Sequence, residues 1–264
     1  MSWFTGIDIG SAYSKGVIIE DSELVASHII ISGADYRKSA ETIRAHLIRK
    51  AKLTQNDITN TVATGSGADS VYFASQKVSD MVCTARGISN VFPQARTVID
   101  VASQSTKVIR LDEGGIVINF TVSEKCAAGG GRFIEVIAKV LRIDLSDFSP
   151  LAAKSRTPIT FSTGCAVFGE SEVITRISEG IPKEDIAAGV NKALASKISS
   201  LVKKIKLEEP CAICGGGALN AALVKAIESE LKTNLLVPPH PQLITALGAA
   251  IVATVSATSQ FNKD

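Results

Sequence analysis

The order of apolar and polar residues predicts two similar β-hairpins in this chain. In the first, residues 7–9 form an apolar run around Asp8, small residues follow, and Lys15 precedes the apolar residues 17–19. The same order recurs at residues 99–109, with Asp100 and Lys107 in the corresponding places. An apolar strand that reaches an aspartate, turns through small residues and returns as a second apolar strand is typical of a hairpin, and its repetition indicates duplication.

Each hairpin is followed by segments that would complete an α/β lobe. In the first lobe the pattern predicts a helix at residues 39–52, a short strand near Thr61 and a helix after Gly67. In the second it predicts a strand at 116–122, a helix at 185–205, a strand at 211–214 and helices at 219–232 and 243–253. We expect lobes at residues 1–95 and 96–264, with the last helix packing back toward the first lobe.

Charge and composition narrow the possible functions. Among the 264 residues, 28 Lys and Arg nearly balance 26 Asp and Glu, so nucleic acid and anionic membranes are not expected partners. Neither a signal peptide nor an apolar run of about 18 residues is present, which favours a cytoplasmic protein. The five cysteines are irregularly spaced, a pattern that favours buried thiols or metal ligands over a disulfide framework.

The two acidic hairpins suit a nucleoside triphosphate with Mg²⁺. We expect Asp8 and Asp100 to face each other across a cleft and to bind the metal, usually through water. Backbone N–H groups of Gly10, Ser11 and Ala12 and the Lys15 ammonium suit phosphate oxygens. Glycines at 215–217 would let the backbone approach the nucleotide closely. The alternative is that both aspartates are only turn residues. Residues 129–132 lack the GK[ST] ending of a P-loop.

Two cysteines are candidate metal ligands. Cys126 and Cys165 each precede a predicted helix, whose dipole would favour a thiolate. Cys83 is interpreted as a small buried hydrophobe. Cys211 and Cys214 lie in a predicted strand, where an odd offset points side chains to opposite faces and disfavours a shared metal.

Two ligands per chain do not complete the four thiolates of a cubane cluster. In a twofold-symmetric homodimer, Cys126 and Cys165 of each subunit would supply four sulfurs to one bridging [4Fe–4S] cluster. The alternative is a zinc site within a single chain that uses Cys126, Cys165, Cys211 and Cys214.

Several separated segments resemble the ATPase activators of 2-hydroxyacyl-CoA dehydratases and the related ATPase subunits of benzoyl-CoA reductases. The segments are GIDIGSAYSKGVI from residue 6, ATGSG from 63, KCAAGGGRFIEV from 125, STGCAVFGESEVI from 162, GGGALN from 215 and PPHPQLITALGAA from 238. The resemblance implies an α/β, actin/hexokinase-type (ribonuclease H-like) two-lobed ATPase fold. It also implies a homodimer bridged by one [4Fe–4S] cluster and ATP-driven one-electron transfer to a partner enzyme.

By position, the resemblance assigns roles to individual residues. It assigns Cys126 and Cys165 to the cluster. It assigns phosphate binding to Gln104 and to the loop formed by Ser11, Ala12, Tyr13, Ser14 and Lys15. It assigns binding of the nucleoside end of the nucleotide to Gly216, Gly217, Asn220 and Gln242, with Gly215 beside them in the sequence. We further expect Asp8, Asp100 and Gln104 to act in catalysis. One departure stands out: the family tends to read DIGGQD where this chain reads DVASQS at residues 100–105.

The function that these expectations support is ATP-dependent electron transfer. A ferredoxin- or flavodoxin-type donor would supply the electron, and an iron–sulfur enzyme such as a 2-hydroxyacyl-CoA dehydratase would accept it. A benzoyl-CoA reductase component or a reductase of a double-cubane protein is an alternative. Rivals from other classes are a small-molecule kinase on the same fold and an actin-type assembly protein.

Overall fold

The computed structural model describes residues 2–123, 129–161 and 166–261 of the chain. They form two compact units. Unit 1 comprises Met1–Ala95, Leu111–Ile118 and Gln242–Asp264, and unit 2 comprises Arg96–Arg110 and Asn119–Pro241. Each unit combines helices with a sheet of parallel and antiparallel strands, so the predicted α/β class is confirmed.

The sheet of unit 1 has the strand order β3-β2-β1-β4-β5. Its strands are β1 (Trp3–Ile9), β2 (Tyr13–Glu20), β3 (Glu23–Ile31), β4 (Ile58–Thr64) and β5 (Gln76–Lys77). The central strand β1 pairs antiparallel with β2 and parallel with β4. Alternate β1 residues Ile7 and Ile9 are buried against Ile43 and Leu47 of α1 (Tyr36–Ala51). The Asp35 side chain caps α1 by accepting a hydrogen bond from the Lys38 N–H.

Two further helices of unit 1, α2 (Asp80–Val91) and α8 (Ile244–Phe261), pack together, and α8 also packs on β1. Glycine permits their close approach. A Cβ on Gly248 would lie 1.6 Å from the Cys83 carbonyl oxygen, and one on Gly6 would lie 2.0 Å from that of Ala246. The end of the chain therefore belongs to the same unit as its beginning.

The second sheet has the order β10-β9-β6-β7-β8. Its strands are β6 (Thr97–Val101), β7 (Thr106–Leu111), β8 (Val117–Val122), β9 (Cys211–Cys214) and β10 (Leu235–Leu236). The central strand β6 pairs antiparallel with β7 and parallel with β9. This sheet repeats the β2-β1-β4 arrangement of unit 1, as the duplicated hairpins predict.

The helices of unit 2 build its core. They are α3 (Gly131–Leu141), α4 (Leu145–Ala152), α5 (Ala166–Ser178), α6 (Lys183–Ile205) and α7 (Ala221–Leu231). The apolar row predicted for α6, including Ile186, Val190, Leu194 and Ile198, is buried in this core. The helical periodicity is therefore confirmed.

A helix follows Gly67, as predicted, but not immediately. The structure has only a short 3-10 turn at Ala68–Ser70, and α2 begins at Asp80. Between them the chain extends, because the Ser75 N–H donates to the Thr61 carbonyl and β5 pairs with β4. None of the helices that the structure describes has the length and apolar character needed to cross a membrane.

Candidate functional site

The first hairpin, β1–β2 in unit 1, holds a buried charge pair at its turn. Asp8 near the end of β1 lies opposite Lys15 on β2. The Lys15 Nζ donates to Asp8 Oδ2 at 2.9 Å, and the Asp8 residue is only 6% exposed. The lysine thus supplies a direct polar partner for a carboxylate that is largely removed from solvent.

The turn of the first hairpin is fixed by Ser32, which follows β3. The Ser32 N–H donates to the Ala12 carbonyl at 2.9 Å, and its hydroxyl donates to the Gly10 carbonyl at 2.5 Å. The Ser14 hydroxyl is buried 2.8 Å from that of Ser32. A Cβ on Gly10 would lie 2.7 Å from the Tyr13 carbonyl oxygen, so the turn is as tight as glycine allows. Ser11, Ala12 and Tyr13 are half-buried.

Gly65 was missed as a site residue by reasoning from sequence. It follows β4 with φ +86°, and a Cβ there would lie 2.4 Å from Asp8 Oδ1. The next glycine, Gly67, donates its N–H to the Ile9 carbonyl at 2.9 Å. The signal that could have identified it is a glycine at the end of a strand parallel to β1, the position that the triple glycine occupies after β9.

The second hairpin, β6–β7 in unit 2, repeats this arrangement. Asp100 lies opposite Lys107, whose Nζ is 3.3 Å from Asp100 Oδ2. Asp100 is 4% exposed. After β9, Gly215 has φ +83°, and a Cβ there would lie 2.6 Å from Asp100 Oδ1. The structure thus brings the predicted aspartate, its lysine and the first glycine of the triple glycine together within one unit.

The turn of the second hairpin is held by the start of α3. The Ala102 carbonyl accepts from the Gly131 N–H at 2.9 Å, and the Ser103 carbonyl accepts from the Arg132 N–H at 2.8 Å. A Cβ on Gly130 would lie 2.6 Å from the Ala102 oxygen. Within the turn, the Gln104 side chain is exposed. The turn of the second hairpin and the beginning of α3 are therefore joined by backbone hydrogen bonds.

Residues predicted to bind the nucleoside end occupy the segment after β9. The Gly215 N–H donates to the Pro241 carbonyl at 2.9 Å, Gly216 is exposed, and Gly217 packs against Val101. Asn220 caps α7, because its Oδ1 accepts from the Leu223 N–H.

Asn220 also donates through Nδ2 to Asn191 Oδ1, so both polar ends of its side chain are engaged. The fourth residue of the predicted set, Gln242, is half-buried in unit 1. The structure brings the glycines and Asn220 into one segment of unit 2, and Gln242 belongs to the other unit.

The two predicted cluster ligands, Cys126 and Cys165, lie outside the described residues. Helices α3 and α5 begin at Gly131 and Ala166. Cys83 is buried as predicted, and burial raises the pKa of its thiol to about 12. Considering the described side chains alone, no group of three or more His, Cys, Asp or Glu could hold a metal ion.

Cys211 and Cys214 lie in β9, as predicted, and both are fully buried. Burial, with a smaller contribution from the charge of Glu209, raises the pKa of Cys211 to about 12. In a strand, an offset of three residues points side chains to opposite faces, so the positions of the two cysteines in β9 disfavour a metal shared between them.

Each hairpin, taken by itself, has groups that suit a magnesium–nucleotide complex. Each unit offers a buried carboxylate, a lysine and a glycine-built approach that a Cβ would block. The Ser103 hydroxyl of the second turn is buried and has no hydrogen-bond partner among the described residues. Carboxylates suit hydrated Mg²⁺, and lysine and backbone N–H groups suit phosphate oxygens.

Comparison with known proteins gives a consistent result. Residues 5–253 match the model of the BadF/BadG/BcrA/BcrD ATPase family. The 2-hydroxyisocaproyl-CoA dehydratase activator of Clostridioides difficile is 41% identical over 94% of this chain and 93% of its own length. The (R)-2-hydroxyglutaryl-CoA dehydratase activating ATPase of Acidaminococcus fermentans is 38% identical over 96% of this chain and 98% of its own. The resemblance inferred from the motifs is confirmed.

Solved structures agree with the sequence matches. The Clostridium difficile activator of 2-hydroxyisocaproyl-CoA dehydratase, with bound ADPNP, superposes with a TM-score of 0.93 at 37% identity, covering 99% of this chain and 98% of its own. A ROK family glucokinase from Streptomyces griseus has a TM-score of 0.61 at 13% identity, covering 96% of this chain and 99% of its own, a likeness of fold alone. The predicted actin/hexokinase-type α/β fold is confirmed.

Proposed function

The chain belongs to the BadF/BadG/BcrA/BcrD ATPase family, and from that premise we propose that it is an ATP-dependent activator that transfers single electrons. The electron would come from a ferredoxin- or flavodoxin-type donor and reach an iron–sulfur partner enzyme such as a 2-hydroxyacyl-CoA dehydratase. The names of two relatives, one a dehydratase activator and one an activating ATPase, support this class of function.

The observation that carries the proposal is the contact between the second turn and α3. Two backbone N–H groups at the start of α3 bind the turn carbonyls of Ala102 and Ser103. Gly130 leaves no space for a Cβ beside this turn, so the two segments are packed closely as well as hydrogen-bonded. The segment that contains Cys126 directly precedes α3 in sequence. A change in the turn on nucleotide exchange would therefore reach the residues next to Cys126.

The hairpins would perform the ATP chemistry. Asp8 and Asp100 would accept hydrogen bonds from the water shell of Mg²⁺, and Lys15 and Lys107 would offset phosphate charge. Positioning and electrostatic stabilisation carry most phosphoryl-transfer catalysis, and a side-chain amide can orient the attacking water. The exposed Gln104 of the second turn has the chemistry for that role.

Cys126 and Cys165 are the proposed ligands of a [4Fe–4S] cluster that two copies of the chain share. Such a cluster would supply one-electron redox chemistry when bound. Two thiolates per subunit complete four ligands only in a twofold-symmetric dimer. The rival zinc site needs both Cys211 and Cys214, which lie three residues apart in β9, where strand alternation points side chains to opposite faces.

Metal analysis of the protein purified without oxygen tests this proposal. We expect four irons and four sulfides per dimer. Cys126→Ala and Cys165→Ala should each abolish iron binding, whereas Cys211→Ala and Cys214→Ala should retain it. Stoichiometric zinc, or four irons per monomer, would contradict the shared cluster. The electron-transfer role is tested separately by adding the reduced dimer to a 2-hydroxyacyl-CoA dehydratase, whose activation should require hydrolysable ATP.

A further inference from the structure

Unit 1 contains a cavity of about 310 Å³ whose lining does not include the Asp8 hairpin turn. It is bounded by α1, β1, β4 and the 3-10 turn at Gln55–Asp57. One wall is apolar and includes Leu47, Ile48 and Ile58. Hydroxyl and amide groups, such as those of Thr59 and Asn56, provide polar lining. A cavity with both kinds of wall suits a small amphiphilic molecule.

Arg44 is the cation of this cavity. Its guanidinium lies over the Phe73 ring, 4.1 Å from the ring centroid, and both residues line the cavity. Among the described residues Arg44 has no carboxylate partner, whereas Arg37 on the same helix pairs with Glu41 at 3.5 Å. A cation–π contact of this kind uses the charge of the guanidinium without taking up its N–H donors, which can then pair with a planar anion.

The charge of the lining favours an anion. No Asp or Glu is among the described residues that line the cavity. The acid of the adjacent 3-10 turn, Asp57, is directed to Thr54 instead: its Oδ2 accepts from the Thr54 N–H at 2.6 Å and from the Thr54 hydroxyl at 2.7 Å. These bonds lower the pKa of Asp57, which keeps it ionised and engaged with Thr54. Arg44 therefore carries the net charge of the cavity.

We propose that this cavity is a binding site for a short-chain aliphatic carboxylate. The carboxylate pairs with the in-plane donors of Arg44, and the alkyl chain lies against Leu47, Ile48 and Ile58. Ligand sites in proteins span roughly 300–1,000 Å³, so a cavity at the lower limit fits an acid of a few carbons. The site is independent of the proposed electron-transfer function.

The location gives such a ligand access to the strands that position Asp8. Thr5 and Thr61 line the cavity and are paired neighbours on β1 and β4. The same strands lead to Asp8 and, after Thr64, to Gly65. A ligand that binds only the folded cavity raises the stability of unit 1 by mass action. Thermal unfolding is therefore a second readout of binding.

A ligand-observed NMR titration of the full-length protein tests the proposal, with butyrate as probe. For a ligand of six heavy atoms in a preformed site, saturation with a Kd of about 1 mM or lower is expected. Butyramide, which has the same shape and no charge, and inorganic phosphate, which has charge and no alkyl chain, should each bind at least 10-fold more weakly. Butyrate should also raise the melting temperature.

Three variants locate the site. Arg44→Gln should weaken butyrate binding at least 10-fold, because a charge-assisted pair is lost. Arg37→Gln is the matched control: Arg37 also lies over an aromatic ring, that of Tyr72 at 4.6 Å, but does not line the cavity, so binding should be unchanged. Thr59→Trp, a bulky change at an exposed lining residue, should block binding.

Absence of saturable butyrate binding would overturn the proposal. So would butyramide or phosphate binding as tightly as butyrate, because the site would then lack selectivity for an aliphatic anion. Equal loss of binding in Arg44→Gln and Arg37→Gln would also overturn it, because the effect would follow surface charge and not the cavity.

Discussion

The first hairpin, in unit 1, and the second hairpin, in unit 2, present the same three groups around the end of a central strand. The groups are an aspartate, a cross-strand lysine and a glycine with positive φ: Asp8, Lys15 and Gly65 in one, and Asp100, Lys107 and Gly215 in the other. The lysine Nζ lies 2.9 Å from the carboxylate in the first hairpin and 3.3 Å in the second. Both units therefore place a buried, lysine-paired carboxylate at the same point of the fold.

The hairpins differ in what holds their turns. Ser32, from the same sheet, binds the carbonyls of the first turn. The backbone N–H groups of α3 bind the carbonyls of the second turn. The first turn is thus fixed to its own sheet, whereas displacement of the second turn would be transmitted to a helix. In the proposed mechanism, the first hairpin would hold phosphate and the second would also transmit its presence to α3.

Replacing each aspartate by asparagine tests whether the two carboxylates contribute equally to ATP hydrolysis. Asp8→Asn and Asp100→Asn keep side-chain shape and remove the charge that would organise Mg²⁺. We expect each to lower steady-state ATP hydrolysis by about 100-fold, the usual scale for losing one electrostatic group in a transition state. The measurement is turnover by the protein purified without oxygen, at saturating Mg²⁺ and ATP.

Circular dichroism and melting temperature should confirm that both asparagine variants are folded. A large loss of turnover in Asp8→Asn with little change in Asp100→Asn would break the equivalence. It would mean that the second hairpin, with its DVASQS sequence, has kept the geometry without the catalytic role.

Alanine at Gly65 and at Gly215 tests whether the two hairpins lose the same free energy of unfolding when a side chain is introduced beside the aspartate. Gly65→Ala and Gly215→Ala each place a Cβ within 2.6 Å of a carboxylate oxygen on a backbone with positive φ. We expect each to lower the free energy of unfolding by about 3 kcal/mol, from backbone strain and steric overlap together. Urea unfolding monitored by circular dichroism measures this loss.

Gly33→Ala is the matched control for those glycines. Gly33 has φ +64°, but no atom lies within 4 Å of its would-be Cβ. Its replacement should cost about 1 kcal/mol, the backbone contribution alone. If Gly33→Ala proved as destabilising as Gly65→Ala, the close approach to Asp8 would have no energetic consequence.

Gly130 tests the contact that distinguishes the second hairpin. Its backbone is extended, with φ −156°, so alanine there is not strained, but its Cβ would lie 2.6 Å from the Ala102 oxygen. We expect Gly130→Ala to displace the turn and reduce ATP turnover by about 10-fold, since small misplacements of catalytic groups are costly. In Gly131→Ala the nearest atom, also the Ala102 oxygen, is 3.6 Å away, an ordinary contact, so turnover should change less than twofold. Equal turnover in Gly130→Ala and Gly131→Ala would show that the contact between the second turn and α3 does not affect ATP hydrolysis.

Local patterns predicted the hairpins well, because strand alternation and turn residues lie within about ten residues of each other. The strand that holds Cys211 and the long helix α6 were predicted from such local patterns. The ion pair between Asp8 and Lys15 was not predicted, because the sequence pattern assigned Lys15 to phosphate and Asp8 to Mg²⁺. The contact of Gly65 with Asp8 was not, because it depends on β4 lying parallel to β1. The contact between α3 and the second turn could not be predicted either, because it is made by backbone hydrogen bonds, which do not depend on which side chains are present.

The smallest effect is expected where the two turns differ most in sequence. Ala102→Gly combined with Ser103→Gly makes the second turn resemble the glycine pair that the family tends to have. The contacts of this turn with α3 use backbone carbonyls, which the double change retains. Glycine adds flexibility, at roughly 0.5–1 kcal/mol per position, and removes two Cβ atoms near the proposed phosphates. We therefore expect measurable ATP turnover in the parent and a change of no more than about threefold in the variant, since these opposing effects are both small.

Turnover that is undetectable in the parent and restored by the double change would mean that the Cβ atoms block the nucleotide. The parent hairpin would then have lost its catalytic role while retaining its hold on α3.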